Sequence, residues 1–142
     1  MIYIASDHAG VDMKLAIMRH LDTIQVDYWN FGTDEPKSVD YPDFAHALCQ
    51  EMNEDDWGIL ICGTGIDMSI VANRYDHIRC AVVTSGQMVE ATRQHNDANV
   101  IALGARIIDN ETAVKFVDIF LNTQFEGGRH WDRVEKINIQ GR

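Results

Sequence analysis

The chain predicts an α/β fold, a three-layer α/β/α sandwich around a five-stranded, mainly parallel sheet. Three observations carry this. Short apolar runs alternate with amphipathic stretches from one end of the sequence to the other. Two of those runs, Ile59-Leu60-Ile61 and Val100–Leu103, are apolar throughout, as strands covered on both faces are. The first of them passes straight into Cys62-Gly63-Thr64-Gly65 and then into a helical pattern with Met68, Ile70, Val71 and Ala72. Strand, glycine turn and helix in that order build the ligand crevice at the carboxyl ends of an open parallel sheet.

The elements follow in order. Met1–Ser6 reads as the first buried strand, and Asp7-His8-Ala9-Gly10 as the turn into a helix over Val11–Leu21. Met13, Ala16, Ile17 and Leu21 give that helix its apolar stripe. Gln25–Phe31 alternates as a second strand, and Gly32–Pro42 is a polar connection long enough to reach over a site. Tyr41–Met52 is helical, with Ala45, Leu48, Cys49 and Met52 on one face, so Cys49 belongs to the core. Asn53–Asp56 is an acidic turn into the third strand. Ile78–Thr84 is a fourth strand with Cys80 inside it, followed by a helix over Gly86–His95 that ends in the polar run Arg93–Asp97. Val100–Leu103 is the fifth strand. Asn110 is placed to cap a helix over Glu111–Leu121. Gln124–Arg133 is a loop with paired glycines, and a last helix over Trp131–Ile139 ends near Gly141. The whole is one doubly wound, Rossmann-like domain over residues 1–142.

Composition narrows the function classes. The chain is 46% hydrophobic and 24% charged, an ordinary globular balance, and its net charge of −10 argues against a basic surface for nucleic acid or anionic membrane. An anionic ligand must therefore be held by a local cluster. No apolar run reaches membrane-spanning length, Met1 leads directly into a strand without a signal peptide, and three cysteines without metal spacing suit a reducing cytoplasm.

The chemistry gathers in loops and at helix ends. Gly63 and Gly65 let the backbone approach a ligand, and the following helix start adds free N–H groups and a positive dipole end. The same dipole favours a thiolate at Cys62, which can then act as a nucleophile or as a base toward a carbon acid. Cysteine at a strand end is also a common packing residue, and that reading stands beside it. Asp7-His8 is a candidate for proton transfer or anion binding, with Asp7 equally able to cap the helix. His95-Asn96 forms another polar cluster. Arg106, Arg129 and Arg133 supply local positive charge. Arg129 and Arg133 stand four apart and suit a phosphate, or pair with Glu126, Asp132 and Glu135. A phosphatase loop would need arginine where Met68 stands, and a P-loop would need lysine after Gly65.

Taken together, SDHAG (6–10), DYPDFA (40–45), GILICGTGIDMSIVANR (58–74), IRCAV (78–82), RQHNDANVIALGARII (93–108) and FEGGRHWDRVEKI (125–137) resemble the ribose-5-phosphate isomerase B family, which includes galactose-6-phosphate and allose-6-phosphate isomerases. The resemblance spans nearly the whole chain. It implies an aldose–ketose isomerase of a sugar phosphate, without metal or cofactor, working through a cis-enediolate. It also implies roles: Cys62 as the base between C1 and C2, Thr64 at the sugar hydroxyls, and the backbone from Gly63 through Gly65 to Asp67 as the anion hole. His95 and Asp7 would open the sugar ring, with Tyr41 near the sugar and Asn96 holding hydroxyls. His8, Arg129 and Arg133 would clamp the phosphate, with Arg106 as helper. The family pattern implies a homodimer or dimer of dimers with shared active sites, His95 and Asn96 coming from the neighbour.

One residue departs from the pattern, Asp67, where the family loop carries a further glycine. Its side chain either turns outward at the helix start or alters substrate preference at the loop. Ribose 5-phosphate is the expected substrate. A six-carbon aldose phosphate, or a non-catalytic sugar-phosphate-binding subunit, is the alternative.

Overall fold

The computed structural model describes residues 1–139, so the expected helix end near Gly141 lies outside the described residues. The five strands are β1 (Ile2–Ser6), β2 (Tyr28–Asn30), β3 (Trp57–Cys62), β4 (Cys80–Val82) and β5 (Val100–Gly104). The helices are α1 (Val11–Thr23), α2 (Tyr41–Glu51), α3 (Ile66–Ala72), α4 (Gly86–Asn96), α5 (Asn110–Asn122) and α6 (Arg129–Glu135), with a 3-10 turn at His8–Gly10. The sheet runs β2-β1-β3-β5-β4, and every pairing is parallel.

Alternation along the strands divides the core between two faces. Ile2, Ile4, Ile59, Ile61, Ile101 and Leu103 pack against Met13, Ile17 and Leu21 of α1, Val89 of α4, and Ala113, Phe116, Val117 and Phe120 of α5. Ala5, Leu60, Cys62, Val100 and Ala102 face the other way, onto Ala45, Leu48 and Cys49 of α2 and Met68 and Ala72 of α3. The three layers follow directly from a period of two meeting a period near 3.6. Each fully buried Ile or Leu in these clusters contributes about 2 kcal/mol.

Several bounds differ from the sequence reading, each for a local reason. β2 covers only Tyr28–Asn30, because it lies at the edge with β1 as its single neighbour and three register pairs. β4 is likewise a short edge strand, Cys80–Val82. Asp109, not Asn110, caps α5: its Oδ1 accepts the Thr112 N–H at 2.8 Å, and Asn110 is already helical. α6 begins at Arg129 and ends at Glu135, because the left-handed pair Gly127 and Gly128 halts the preceding loop just before it.

Topology places the crevice. The chain passes from β1 to β2 on one side and then returns to β3 on the other side of β1. The strand order thus reverses between β1 and β3, and the turns after these two strands, at Asp7 and at Cys62, flank the point where such sheets open. The two turns are packed tightly. A Cβ on Gly10 would lie 2.6 Å from Ile61 Cγ2, so only glycine lets the first turn sit against β3.

Candidate active site

The turn after β3 is built around the Cys62 sulfur. Gly65 has φ +84°, a left-handed conformation that brings its N–H back onto Cys62 Sγ at 3.1 Å. The next amide, of Ile66, is taken by Thr64 Oγ1 at 3.2 Å. A main-chain donor aimed at sulfur stabilises negative charge there, and the start of α3 adds its dipole. The turn is stapled to the end of β5, where the Ala105 and Arg106 amides donate to the Cys62 and Gly63 carbonyls at 2.8 and 3.0 Å. The Arg106 guanidinium lies over Gly63, with Nη1 2.9 Å from where a Cβ would stand.

Cys62 itself has 0% exposure in the single chain, while Thr64 on the same turn is exposed. Cys49 and Cys80 are the structural thiols expected from the pattern. Burial pushes Cys49 up to about 12, and burial raises Cys80 too, reinforced by Cys49 and Cys62.

The first turn supplies the neighbouring groups. Asp7 is buried, caps the 3-10 turn through Ala9 N at 2.9 Å, and receives its own place from a bond to the Ile61 carbonyl at 3.1 Å. His8 Nδ1 accepts the Val39 N–H at 3.2 Å, so in the neutral ring the proton sits on Nε2, which is a donor. Tyr41 is the first residue of α2, at the same end of the sheet. Asp67 lies in the first turn of α3 and is exposed.

His95, Asn96, Arg129 and Arg133 are elsewhere. α4 runs antiparallel to the strands, and its end at Asn96 comes just before β5 begins at Val100, so it lies at the amino ends. The Asn99 carbonyl there accepts the Gly58 N–H at 2.8 Å, next to Trp57, the first residue of β3. α6 docks against this same corner. The His95 and His130 rings stack with centroids 4.6 Å apart and planes 22° apart, and the Glu126 N–H donates to the Gln94 carbonyl at 3.1 Å. The residues of β3 between Trp57 and Cys62 span on the order of 17 Å. The candidate residues therefore fall into two groups at opposite ends of the sheet: Asp7, His8, Tyr41, the 62–67 turn and Arg106 at one, His95, Asn96, Arg129 and Arg133 at the other. Arg106 does not join the other two arginines within a chain.

Two supporting groups were not singled out from the sequence. Arg93 is buried, stacks 4.4 Å over the Trp57 ring, and bonds the Thr123 and Ala98 carbonyls and Asp97 Oδ1 at 3.0, 2.8 and 2.9 Å. With Arg79, which reaches the Asn96 and Asp97 carbonyls at 3.1 and 2.9 Å, it holds the corner where Asp97 turns left-handed at φ 48°. Lys14 is the second. Its side chain is 1% exposed, and Nζ donates to Asn30 Oδ1 at 2.7 Å and Asp34 Oδ1 at 2.6 Å. That network pins the loop after β2, whose Gly32 carbonyl accepts the Ser6 N–H at 2.7 Å beside Asp7. His130 is held below the usual imidazole range by burial, then by the charges of His95 and Arg129.

A thiol set in a glycine turn at the switch point of an all-parallel sheet defines a doubly wound α/β protein with its candidate crevice at the carboxyl ends of β1 and β3. The chain belongs to the ribose/galactose isomerase family, whose model matches residues 2–137. It is 44% identical to ribose-5-phosphate isomerase B of Escherichia coli, over 92% of this chain and 89% of that one. Among solved structures, ribose-5-phosphate isomerase B of Mycoplasma genitalium, with bound ribulose-5-phosphate, superposes with a TM-score of 0.93 at 41% identity, covering 96% of this chain and 92% of that one. Ribose 5-phosphate isomerase B of Anaplasma phagocytophilum gives 0.93 at 43% identity, covering 96% and 95%.

Proposed function

We propose that the chain interconverts ribose 5-phosphate and ribulose 5-phosphate. The observation that carries the reading is the Gly65 amide held 3.1 Å from Cys62 Sγ, in the turn where the strand order reverses. Isomerising an aldose needs a base for a carbon-bound proton and fixed donors for the oxyanion that forms beside it. The Cys62 thiolate takes the C2 proton, and the C–H electrons form the C1–C2 double bond of a cis-enediolate as the carbonyl electrons move to O1. Thr64 helps move the hydroxyl proton from O2 to O1. The thiol then returns its proton to C1, giving the ketose with nothing gained or lost. Asp67 takes no proton in this scheme.

Ring opening and phosphate binding draw on residues from both ends of the sheet. His95 and Asp7 exchange the proton of the ring oxygen, Tyr41 and Asn96 hold hydroxyls, and His8, Arg129 and Arg133 bind the phosphate, with Arg106 reaching from the turn. Phosphate contacts remote from C1 and C2 orient the open chain and offset its lost freedom. Because the halves lie at opposite ends of one chain, the working unit is a homodimer or dimer of dimers in which each site joins Cys62 of one copy to His95, Asn96, Arg129 and Arg133 of the other. Exposed Ile66, Ile70, Ile107 and Met88 surround the Cys62 end, and suit such a contact. The cytoplasm, where thiols stay reduced, is the compartment this chemistry fits.

The deciding experiment is an activity panel over ribose 5-phosphate, allose 6-phosphate and galactose 6-phosphate on the purified chain. Turnover of ribose 5-phosphate with the highest kcat/KM is expected. A preference for a six-carbon sugar would shift the assignment within the family, and no turnover of any would make the chain a binding subunit.

A further inference from the structure

We infer that His95, Glu126 and His130 form a site for a borderline divalent transition metal of the zinc type, which when filled withdraws His95 from the reaction. One nitrogen of each imidazole and one carboxylate oxygen lie within 4.8 Å of one another. His130 Nε2 and Glu126 Oε2 stand 3.7 Å apart, too far for a hydrogen bond. Two ligands at tetrahedral zinc distance are separated by about 3.4 Å, so this gap suits a bridging ion.

The geometry around the three is fixed on one side and adjustable on the other. His130 is buried, and its amide bonds the Gly127 carbonyl at 3.0 Å. Glu126 is tied through its own amide to Gln94, the residue before His95. His95 and Glu126 have exposed side chains, free to turn by the ~1 Å that closing from the observed spread demands. The ring planes, stacked at 22°, must tilt as His95 turns, since a shared ion lies in the plane of each imidazole.

The donor set selects the metal. Two imidazoles and one carboxylate leave a fourth position open and favour zinc, cobalt, nickel or copper over magnesium or calcium. Arg129 and Arg133 on the same short helix repel a cation held by charge alone, which further favours an ion bound by nitrogen donation. Filling the site removes the imidazole needed at the ring oxygen and places a divalent charge beside the two guanidiniums. Metal binding stands without the isomerase reading, whereas inhibition rests on it.

The test titrates the intact, metal-free protein with zinc ions against a chromophoric chelator, and separately records visible absorption with cobalt. One zinc per chain is expected, with a four-coordinate cobalt spectrum. Glu126→Gln, at an exposed position outside the reaction, is expected to weaken zinc binding about tenfold while leaving metal-free activity unchanged. His130→Asn, with its fold checked by circular dichroism, is expected to weaken it as well. Zinc is expected to suppress turnover of ribose 5-phosphate, and a chelator to restore it. Unchanged zinc affinity in both variants, or no binding by the parent protein, overturns the site. Binding that both variants weaken but that leaves turnover intact overturns the inhibition and keeps the site. A metal-free protein with no turnover overturns the isomerase reading alone.

Discussion

The Gly65 amide points at the Cys62 sulfur across 3.1 Å, inside a turn that leaves that sulfur with no exposed surface. The same bond ties the Gly63–Gly65 turn to the sulfur. The base proposed at Cys62 must therefore be uncovered during turnover, and that makes its reactivity measurable.

Iodoacetamide labelling followed by peptide mapping is expected to modify Cys62 first. The protonated forms of Cys49, pushed up to about 12, and of Cys80, also raised by burial, are poor nucleophiles near neutrality. Ribose 5-phosphate is expected to slow the labelling, and Cys62→Ala to reduce kcat by ~10³-fold with the fold intact. A Cys62 that never reacts in the folded protein, or a Cys62→Ala variant that keeps its rate, places the base elsewhere.

Lys14 and Asp34 form an unequal pair, with side chains 1% and 67% exposed. Removing the exposed partner leaves a buried ammonium on Asn30 Oδ1 without a counter-charge, whereas removing the buried one leaves a carboxylate that water can solvate. Asp34→Ala is thus expected to cost about 2–3 kcal/mol, and Lys14→Met about 1 kcal/mol or less. Urea denaturation of both variants measures the order. Hydrogen bonds first from Lys14 and then from Asn30 hold Asp34 below the usual carboxylate range. A carboxyl depressed in the folded state stabilises above its unfolded value, about pH 3.9, and that share is lost as pH falls through the folded value. The share is small because Asp34 faces solvent. Both variants should show a flatter loss of stability on acidification than the parent, and Lys14→Met should raise KM through the loop that contacts His8.

The sheet was legible because its signals are local. Apolar runs such as Ile59–Ile61 and the glycine turn after Cys62 report burial and backbone freedom without reference to the rest of the chain. Cys49 likewise fell on the apolar face of its helix, and it is buried. Lys14 was hidden by its residue type, although it lies three and seven positions before Ile17 and Leu21 on the buried face of α1. Arg93 was masked in the same way within a polar run, four positions after the buried Val89. Both side chains found partners distant in sequence, Asn30 and Asp34 for one and Thr123 for the other, and no periodicity reports such bonds. The residue types of the candidate site were chosen from the sequence. That His95 and Asn96 stand apart from Cys62 was implied by the family resemblance and by no local pattern, because their placement depends on the direction in which α4 and α6 return.

Asp67 occupies an exposed first-turn position on α3, where a carboxylate meets the positive end of the helix dipole. Replacing it with glycine removes that interaction and adds backbone freedom, at about 1 kcal/mol. Asp67→Gly is therefore expected to lower the thermal midpoint by a few degrees and to leave the ranking of ribose, allose and galactose phosphates unchanged. A changed ranking would show that the side chain turns inward when sugar is bound, and would make Asp67 a specificity residue.

Opposed half-sites make a stronger prediction than either half alone. Cys62→Ala and His95→Ala each disable one contribution to every site in a symmetric dimer, so each homodimer is expected to be inactive. In a mixed dimer, one site collects both substitutions and the other neither. Random exchange of equal amounts makes half the dimers mixed, each with one intact site of two, so about a quarter of the parent activity should return. Pairing Cys62→Ala with Arg129→Ala should recover activity in the same way, because Arg129 shares the His95 end. Pairing Cys62→Ala with Asp7→Ala should recover none, since both lie at one end and neither mixed site is whole. Recovery in that last mixture, or its absence in the first two after exchange is confirmed by native mass spectrometry, would contradict a site shared between copies.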